Sequence, residues 1–163
     1  MKNLVVGLIS DTHGLLRPEA VVALAGSDFI IHAGDIGSPE VLEGLARIAP
    51  VMAIRGNVDR GDWAAGLPPT EVLEAGGAYL YVVHNLAELD LDPVAAGFQA
   101  VVSGHSHQPT AREKDGVLYI NPGSAGPRRF SLPIAIGRLT LSGGRIAPEL
   151  IALACEPAKL RHG

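Results

Sequence analysis

The sequence predicts an α/β fold in which two β-sheets pack together and helices lie on the outside. Strand-like and helix-like segments alternate through the first third of the chain, which favours parallel pairing with right-handed crossovers. Turn signals rich in glycine then separate three pairs of strand-like segments, as in β-hairpins. The hydrophobic fraction of 47% and the charged fraction of 18% are typical of a globular chain with a real core.

The first third reads strand, helix, strand, helix, strand. Short apolar runs typical of strands buried on both faces occur at residues 3–9, 28–32 and 51–54. Pro18 stands at the first turn of a predicted helix that ends at Gly26. Ser38 is the expected cap of a second helix, which begins at Pro39 and runs to about Ile48.

The rest of the chain is richer in turns. A long loop is predicted over residues 55–69, a short helix over 93–98 and a short buried strand over 100–102. The three hairpins pair residues 71–75 with 78–83, 112–114 with 117–120, and 134–141 with 145–151. Because the sequence contains neither a repeat nor a linker, we expect one domain over residues 1–155 and a frayed C-terminal tail over 156–163.

The overall charge and the cysteine count exclude several classes of protein. A net charge of −4 gives no basic field to attract a nucleic-acid polymer. The single cysteine, Cys155, rules out an internal disulfide and a cysteine zinc cluster. No apolar run approaches the ~18 residues of a membrane span, and the N-terminus does not resemble a signal peptide, so we expect a cytoplasmic location. An acidic protein that handles anions needs a local positive centre, which a metal can supply.

A polar cluster follows each of five predicted strands. The side chains in these clusters that can bind a metal are those of Asp11, His13, Asp35, Asn57, His84, His105 and His107. Ligands of open α/β sheets bind in the crevice outside the carboxyl ends of the strands, so we expect these residues on one rim. One ion takes about four to six ligands, and the larger set therefore favours two ions that share a bridging carboxylate.

The spacing within two of the clusters supports a shared cleft. Asp11 and His13 are two residues apart, as are His105 and His107. In an extended segment, side chains at this spacing point to the same side. Each pair is therefore predicted to reach the cleft together, with His105 and His107 serving different ions.

Structural explanations exist for each cluster taken alone. A histidine at a strand end is more often a hydrogen-bonded structural residue, and an aspartate after a strand often caps a helix. Five coincidences of this kind in one chain are much less probable than a metal site. His32 and Asp59 are expected to lie behind the ligands rather than to bind an ion.

Three other features are open to two interpretations. Residues 121–126 (NPGSAG) form either an anion-binding nest or a plain turn. Arg128 and Arg129 either hold a substrate phosphate or form a solvated pair. Trp63 either covers the cleft or packs into the core.

The order of the motifs resembles that of a known family. D-x-H, then G-D, G-N-x-D, a histidine after a strand, and G-H-x-H resemble the calcineurin-like metallophosphoesterase superfamily over residues 3–141. The chain resembles the small single-domain branch of this superfamily, the YfcE-type phosphodiesterases, which also includes a related retromer subunit. The resemblance implies a four-layer α/β/β/α sandwich of two mixed β-sheets flanked by helices, with a two-metal site.

The resemblance also implies roles for the residues. The first ion takes Asp11, His13 and His107, the second takes Asn57, His84 and His105, and Asp35 bridges both. Asp35, Asn57 and His105 are the residues expected to be catalytic. The expected ions are divalent, with manganese favoured and iron, zinc, nickel or magnesium as alternatives. A homo-oligomer is a further expectation from the relatives.

The implied reaction is hydrolysis of a small phosphoester, with a diester favoured, by a hydroxide that bridges the ions. A phosphomonoesterase or nucleotidase is one alternative. A non-catalytic interaction scaffold of the retromer type is the other. Since the retromer relative loses several ligand histidines that are all present here, the scaffold is the less favoured of the two classes.

Two positions depart from the family pattern. Val58 occupies the place where many members have a histidine that protonates the leaving group, which predicts weaker action on poor leaving groups. His84 is followed by Asn85 and Leu86, where many relatives read H-G-H. The ligand is kept, but the shape of the cleft beside it is expected to differ.

Overall fold

The computed structural model describes residues 3–129 and 131–155. The predicted tail over residues 156–163 lies outside the described residues, and the single-domain assignment stays a prediction. The elements in chain order are β1 (Leu4–Ile9), α1 (Pro18–Leu24), β2 (Phe29–His32), α2 (Pro39–Ala46), β3 (Val51–Ala53), α3 (Asp62–Ala65), β4 (Thr70–Ala75), β5 (Ala78–Val83), a 3-10 helix (Leu86–Glu88), α4 (Pro93–Ala96), β6 (Ala100–Val102), β7 (Thr110–Lys114), β8 (Val117–Asn121), β9 (Ala135–Ser142) and β10 (Arg145–Ala152).

The strands form two mixed sheets, as the family resemblance implied. The first has the order β10-β9-β1-β2-β3 and the second has the order β4-β5-β6-β8-β7. In the first sheet β1, β2 and β3 are parallel, and the hairpin of β9 and β10 extends the sheet antiparallel to β1. In the second, β5, β6 and β8 are parallel, with β4 and β7 antiparallel at the edges. Each sheet therefore has a rim at which the carboxyl ends of several parallel strands meet.

Buried apolar side chains on both faces of each sheet hold the layers together. Leu8 and Ile31 of the first sheet and Leu80 of the second belong to the core between the sheets. Ile9 and Ile30 face the opposite way, toward a second core beneath α1 and α2. Burying one such side chain contributes about 1.5–3 kcal/mol. The alternation explains why the strand sequences are apolar throughout.

A third apolar cluster lies on the outer face of the second sheet. Residues 86–98, which include the 3-10 helix and α4, cover it, and Phe98 packs against Tyr81 with ring centroids 5.2 Å apart. The layers thus run helix, sheet, sheet, helix, which confirms the predicted four-layer sandwich. None of the helices in the described ranges is long and apolar enough to cross a membrane.

Three of the described helices begin where proline predicts, although Ser38, the expected cap of α2, makes no side-chain capping hydrogen bond. Pro18, Pro39 and Pro93 each occupy the first turn of a helix. The Asp92 carboxylate caps α4 by accepting from the Val94 amide at 3.1 Å.

The predicted loop over residues 55–69 is interrupted by α3. This single turn is too short to produce a helical periodicity that sequence reasoning could detect. Trp63 lies within it and packs against the core beneath α1 and α2, so its side chain belongs to the packing rather than to a cover over the cleft.

Candidate metal centre

Six of the seven predicted ligands converge at the rim of the sandwich. They form two groups, each with ligand atoms within 4.8 Å of one another: Asp11, His13 and His107 in one, and Asp35, His84 and His105 in the other. The first group has the same residues as the first predicted ligand set, whereas the second holds Asp35, the expected bridge, in place of Asn57. The groups adjoin, because the His13 Nε2 atom lies 3.8 Å from Asp35 Oδ2.

The seventh residue, Asn57, is exposed and lies beside the second group. It lines a cavity of about 400 Å³ together with His84. Arg55, Glu88 and Asp90 also line this cavity. The structure therefore places Asn57 at the boundary between the histidine cluster and an open polar space.

The backbone of the ligand loops is left-handed rather than extended. Among the described residues, those other than glycine with positive φ are Asp11, His13, Asp35, His105, His107 and Asp115. All but the last are predicted ligands. The expectation that the i, i+2 pairs lie in extended segments was therefore wrong. The side chains of each pair are directed into the cleft by left-handed turns, each of which costs on the order of 1–2 kcal/mol.

Backbone hydrogen bonds hold these turns in place. The Asp11 amide donates to the Gly34 carbonyl oxygen at 3.0 Å, and the His13 amide donates to the Asp35 carbonyl oxygen at 3.0 Å. The pairing of β1 with β2 thus continues past the ends of both strands. Strained turns persist where the surroundings fix them in this way, and they are typical of functional sites.

Asp11 is fully buried and only half satisfied. Its Oδ2 atom accepts from the Ser10 hydroxyl at 2.7 Å and from the His105 amide at 3.0 Å. Burial raises the pKa of the Asp11 carboxyl, and these two bonds and the nearby histidines offset the rise only in part. Gly104 permits the approach, because a Cβ there would overlap the Ser10 hydroxyl and the Asp11 carboxylate.

Asp35 and His84 form a close pair at the centre of the site. The His84 Nε2 atom lies 3.2 Å from Asp35 Oδ2, and Asp35 Oδ1 accepts from the Val58 amide at 3.0 Å. Burial disfavours the charged form of both groups, but hydrogen bonds and the opposite charges outweigh its effect on the pKa values. The imidazole and the amide hold the pKa of Asp35 well below its ordinary value. The Asp35 carboxylate and the Ala33 carbonyl raise the pKa of His84.

Four buried polar atoms in the cleft lack a hydrogen-bond partner among the described residues. They are Asp11 Oδ1, His13 Nε2, His84 Nε2 and His107 Nδ1. Buried polar atoms are nearly always paired, so a cluster of exceptions calls for a ligand. Carboxylate oxygens and imidazole nitrogens are donors that borderline divalent metals accept. The donor set therefore fits metal ions.

Comparison with known proteins agrees with this chemistry. The family model described as "Calcineurin-like phosphoesterase superfamily domain" matches residues 4–144. The chain belongs to this superfamily. A probable metallophosphoesterase of Methanothermobacter thermautotrophicus is 32% identical over an alignment 174 positions long, which covers 98% of this chain and 100% of that relative. The family depends on divalent metals, which the two groups of candidate ligands suit.

Solved structures with the same fold include phosphoesterases and a sorting protein. Vacuolar protein sorting 29 from Cryptosporidium parvum matches with a TM-score of 0.78 and 22% identity, covering 90% of this chain and 89% of that one. An archaeal phosphodiesterase matches with a TM-score of 0.76 and 22% identity, covering 91% of this chain and 100% of that one. YfcE, a phosphoesterase from E. coli, matches with a TM-score of 0.66 and 24% identity, covering 91% of this chain and 100% of that one. These likenesses confirm the predicted fold.

His32 and Asp59, which were predicted to lie behind the candidate ligands, do so. His32 is fully buried, and burial lowers its pKa to about 3. The Asp59 carboxylate accepts from the Gly37 amide at 2.9 Å and from the Gly56 amide at 2.8 Å. Asp59 therefore joins the loops that carry Asp35 and Asn57 without entering the cleft.

The two arginines that either hold a substrate phosphate or form a solvated pair differ in their surroundings. Arg128 donates to the Leu132 carbonyl oxygen at 3.3 Å. Burial lowers the pKa of His107. The negative charge of Asp11 opposes this decrease, and the positive charge of Arg129 adds to it. Arg129 is therefore near enough for its charge to act on His107.

Sequence reasoning did not find the residues that brace the G-H-x-H loop of this superfamily. The Asn121 side-chain amide donates to the Gly104 carbonyl oxygen at 2.9 Å and to the Ser106 hydroxyl at 3.0 Å. The Ser124 hydroxyl donates to the Asp11 carbonyl oxygen at 3.0 Å. Residues 121–126 are therefore a turn that supports the ligand loops. The available signal was their position after β8, a further parallel strand whose carboxyl end faces the same rim.

The departure from the family's H-G-H pattern has a local structural role. The Asn85 side chain accepts from the Ala87 amide at 3.0 Å and so caps the 3-10 helix. Leu86 packs into the apolar cluster on the outer face of the second sheet. This turn also brings Glu88 to the polar cavity beside His84.

Proposed function

We propose that the chain is a binuclear metal-dependent phosphodiesterase that hydrolyses a small phosphoester. The observation that carries the proposal is the pair of adjoining groups of candidate ligands, Asp11–His13–His107 and Asp35–His84–His105. Four buried polar atoms of these groups have no hydrogen-bond partner in the part of the chain that the structure describes. A site that only stabilised the fold would pair these atoms within the protein.

The proposed roles follow from position. Asp11, His13 and His107 hold one ion, and Asn57, His84 and His105 hold the other. Asp35 lies between the groups, because its Oδ2 atom is 3.2 Å from His84 Nε2 and 3.8 Å from His13 Nε2. It is therefore the carboxylate proposed to bridge, and its lowered pKa keeps it ionised for that role.

The ions, when bound, supply Lewis acidity and positive charge for the reacting phosphoryl group. The remaining functions belong to side chains. Asn57, an exposed residue that lines the cavity, is proposed to donate its side-chain N–H to a phosphoryl oxygen. Val58 has no proton to give, so substrates whose leaving group departs as a stable anion are favoured.

The charge of the neighbouring cavity favours a diester over a monoester. The cavity beside His84 is lined by Arg55 and by two carboxylates, those of Glu88 and Asp90. A diester carries one negative charge, whereas a monoester dianion carries two and is repelled more strongly by the carboxylates. The archaeal phosphodiesterase of the same fold is consistent with this choice.

A non-catalytic scaffold is the second candidate, and the likeness to vacuolar protein sorting 29 is the observation that favours it. The two candidates differ in metal content and in turnover. We would purify the protein with Mn²⁺, measure the metal by elemental analysis, and assay bis(p-nitrophenyl) phosphate and p-nitrophenyl phosphate. We expect two ions per chain and faster turnover of the diester.

The outcomes separate the hypotheses. Fewer than one ion per chain would favour the scaffold. Turnover of neither ester by fully loaded protein would defeat the enzymatic proposal, and faster turnover of the monoester would favour a phosphomonoesterase or nucleotidase. Repeating the assay with iron, zinc, nickel and magnesium tests the choice of manganese. A cytoplasmic location and a homo-oligomer stay predictions.

A further inference from the structure

The loops after β1 and β2 stay in contact beyond the ends of the strands. In addition to the bonds made by the amides of Asp11 and His13, the Gly14 amide donates to the Ile36 carbonyl oxygen at 2.7 Å. The loop of residues 10–14 therefore lies along the loop of residues 33–37. Because these two loops carry Asp11, His13 and Asp35, their relative position sets the distance between the two ligand groups.

A buried chain of side-chain hydrogen bonds lies beneath this contact. The Gly34 amide donates to His32 Nδ1 at 3.1 Å, and His32 Nε2 lies 2.9 Å from the Thr12 hydroxyl oxygen. That hydroxyl donates to the Ile36 carbonyl oxygen at 2.8 Å. His32 and Thr12 are both fully buried. The chain begins and ends on one loop and passes through the other.

The direction of this chain has one solution. A backbone N–H can only donate, so His32 Nδ1 must accept and carries no proton. The proton of the neutral ring is then on Nε2 and is donated to the Thr12 oxygen. The Thr12 hydroxyl is left with its own proton, which it donates to Ile36. All four groups are satisfied in this arrangement, and His32 stays neutral in it.

We propose that His32 and Thr12 are positioning residues that hold the loop of Asp11 and His13 against the loop of Asp35. This inference rests on the proposed function, because the spacing it maintains is the one that the two ions require. Neither residue is among the two ligand groups. Their side chains instead fix left-handed turns that would otherwise relax, since such turns persist only where several bonds determine them. Partners behind metal ligands commonly tune metal affinity in this way.

Three substitutions separate the parts of the chain. Thr12→Val keeps the shape of the side chain and removes the hydroxyl, so it breaks two bonds. Thr12→Ser restores the hydroxyl. His32→Asn keeps an acceptor near the Nδ1 position and loses the donor to Thr12. Ile31→Val is the matched control, because Ile31 is buried in the same strand but faces the core between the sheets.

The first measurement is the affinity of metal-free protein for Mn²⁺ by titration calorimetry. We expect Thr12→Val and His32→Asn to weaken binding about 10- to 100-fold. Thr12→Ser should restore the affinity to near the wild-type value. Ile31→Val should leave the affinity unchanged even if it lowers the melting temperature as much as Thr12→Val does. Unchanged affinity in Thr12→Val would overturn the inference while leaving the proposed function intact.

The second measurement is amide hydrogen exchange in metal-free protein, which is independent of activity and of metal loading. We expect faster exchange at the amides of Asp11, His13 and Gly14 in Thr12→Val but not in Ile31→Val. Unchanged protection would overturn the inference. Wild-type protein that binds neither manganese nor iron, zinc, nickel or magnesium would overturn the proposed function, whatever the exchange result.

A third measurement needs no destabilised variant. In wild-type protein at neutral pH, the ¹⁵N spectrum of the His32 imidazole should show an unprotonated Nδ1 and a protonated Nε2. The opposite tautomer or a doubly protonated ring would break the chain of donors and overturn the inference even if Thr12→Val failed to fold.

Discussion

The Nε2 atom of His84 lies 3.2 Å from the Oδ2 atom of Asp35, while the Nδ1 atom of the same ring lies 2.7 Å from the Ala33 carbonyl oxygen. A carbonyl oxygen can only accept, so Nδ1 carries a proton and Nε2 of the neutral ring has a free lone pair. That lone pair is directed toward the carboxylate proposed to bridge two ions. The backbone of the loop that carries Asp35 thus determines which nitrogen of His84 is available to an ion.

Metal affinity should rise with pH through the neutral range. The pKa of His84 is raised, and a protonated imidazole cannot bind an ion, so protons compete with the metal at this residue. We expect tighter Mn²⁺ binding at about pH 8 than at about pH 6, on either side of the usual histidine pKa. Calorimetric titration at both values measures it, and equal or weaker binding at the higher pH would contradict the expectation.

Asp35→Asn should remove nearly all phosphodiesterase activity. The amide keeps the shape of the carboxylate but lacks the charge that is proposed to bridge the ions. Asp28→Asn is the matched control, because Asp28 also accepts from a backbone amide, that of Val5 at 2.8 Å, at the opposite end of β1 from the predicted ligands. We would compare kcat and metal content for both variants. Retention of most activity in Asp35→Asn would show that the bridging role is wrong.

Val58→His should increase turnover of esters with poor leaving groups. Val58 is 47% exposed, and its amide donates a hydrogen bond to the Asp35 carboxylate. An imidazole at this position would therefore have room and would lie close to the proposed substrate site. We expect kcat for an alkyl phosphodiester to rise about tenfold, less than a fully positioned general acid contributes.

The same substitution should change turnover of a nitrophenyl diester little, because that leaving group needs no proton. Val72→His is the control, since Val72 is 44% exposed on β4. An equal gain for both classes of ester, or an equal gain in the control, would count against a role in leaving-group protonation.

Arg129→Ala should raise KM for the diester more than it lowers kcat. The charge of Arg129 reaches His107, whereas Arg128 donates to the Leu132 carbonyl oxygen, so Arg128→Ala is the matched control. Losing one charge-assisted hydrogen bond to a phosphate predicts a decrease of about tenfold in kcat/KM. Steady-state kinetics of both variants test this. Equal effects would indicate that the two arginines contribute only to the overall positive charge near the site.

Metal binding should stabilise the fold. Four buried polar atoms lack a partner among the described residues, and an ion that binds the native state alone raises its free energy of unfolding. We expect Mn²⁺ to raise the melting temperature and a chelator to reverse the rise. Asp35→Asn should reduce the gain, and an identical gain in this variant would place the stabilising ion elsewhere.

The sequence permitted an accurate account of the strands and predicted residues that the structure brings together as candidate ligands. Short apolar runs predicted β1, β2 and β3, because strands buried on both faces have few polar residues. Polar clusters directly after such runs could be assigned to one rim, because parallel strands present their carboxyl ends to the same side. The third helix, a single turn at Asp62–Ala65, was missed because one turn has no detectable period.

The backbone at the ligands could not be predicted from spacing. Asp11 and His13 were expected in an extended segment but have φ of 56° and 47°. A left-handed turn at an aspartate or a histidine is disfavoured locally and forms only because Gly34 and Asp35 accept the two amides.

The sequence by itself determined the alternation of apolar strands and polar strand ends, and with it the family, the fold and the candidate ligands. Only the tertiary structure decided how those ligands are held. Thr12 meets His32 across 20 residues of chain, Asn121 meets Gly104 across 17, and Ser124 meets Asp11 across 113. These are buried polar contacts between separate loops, and each depends on which loops the packing of two sheets brings together. Local composition carries no record of that choice, because a buried donor is satisfied by whichever acceptor the fold places beside it.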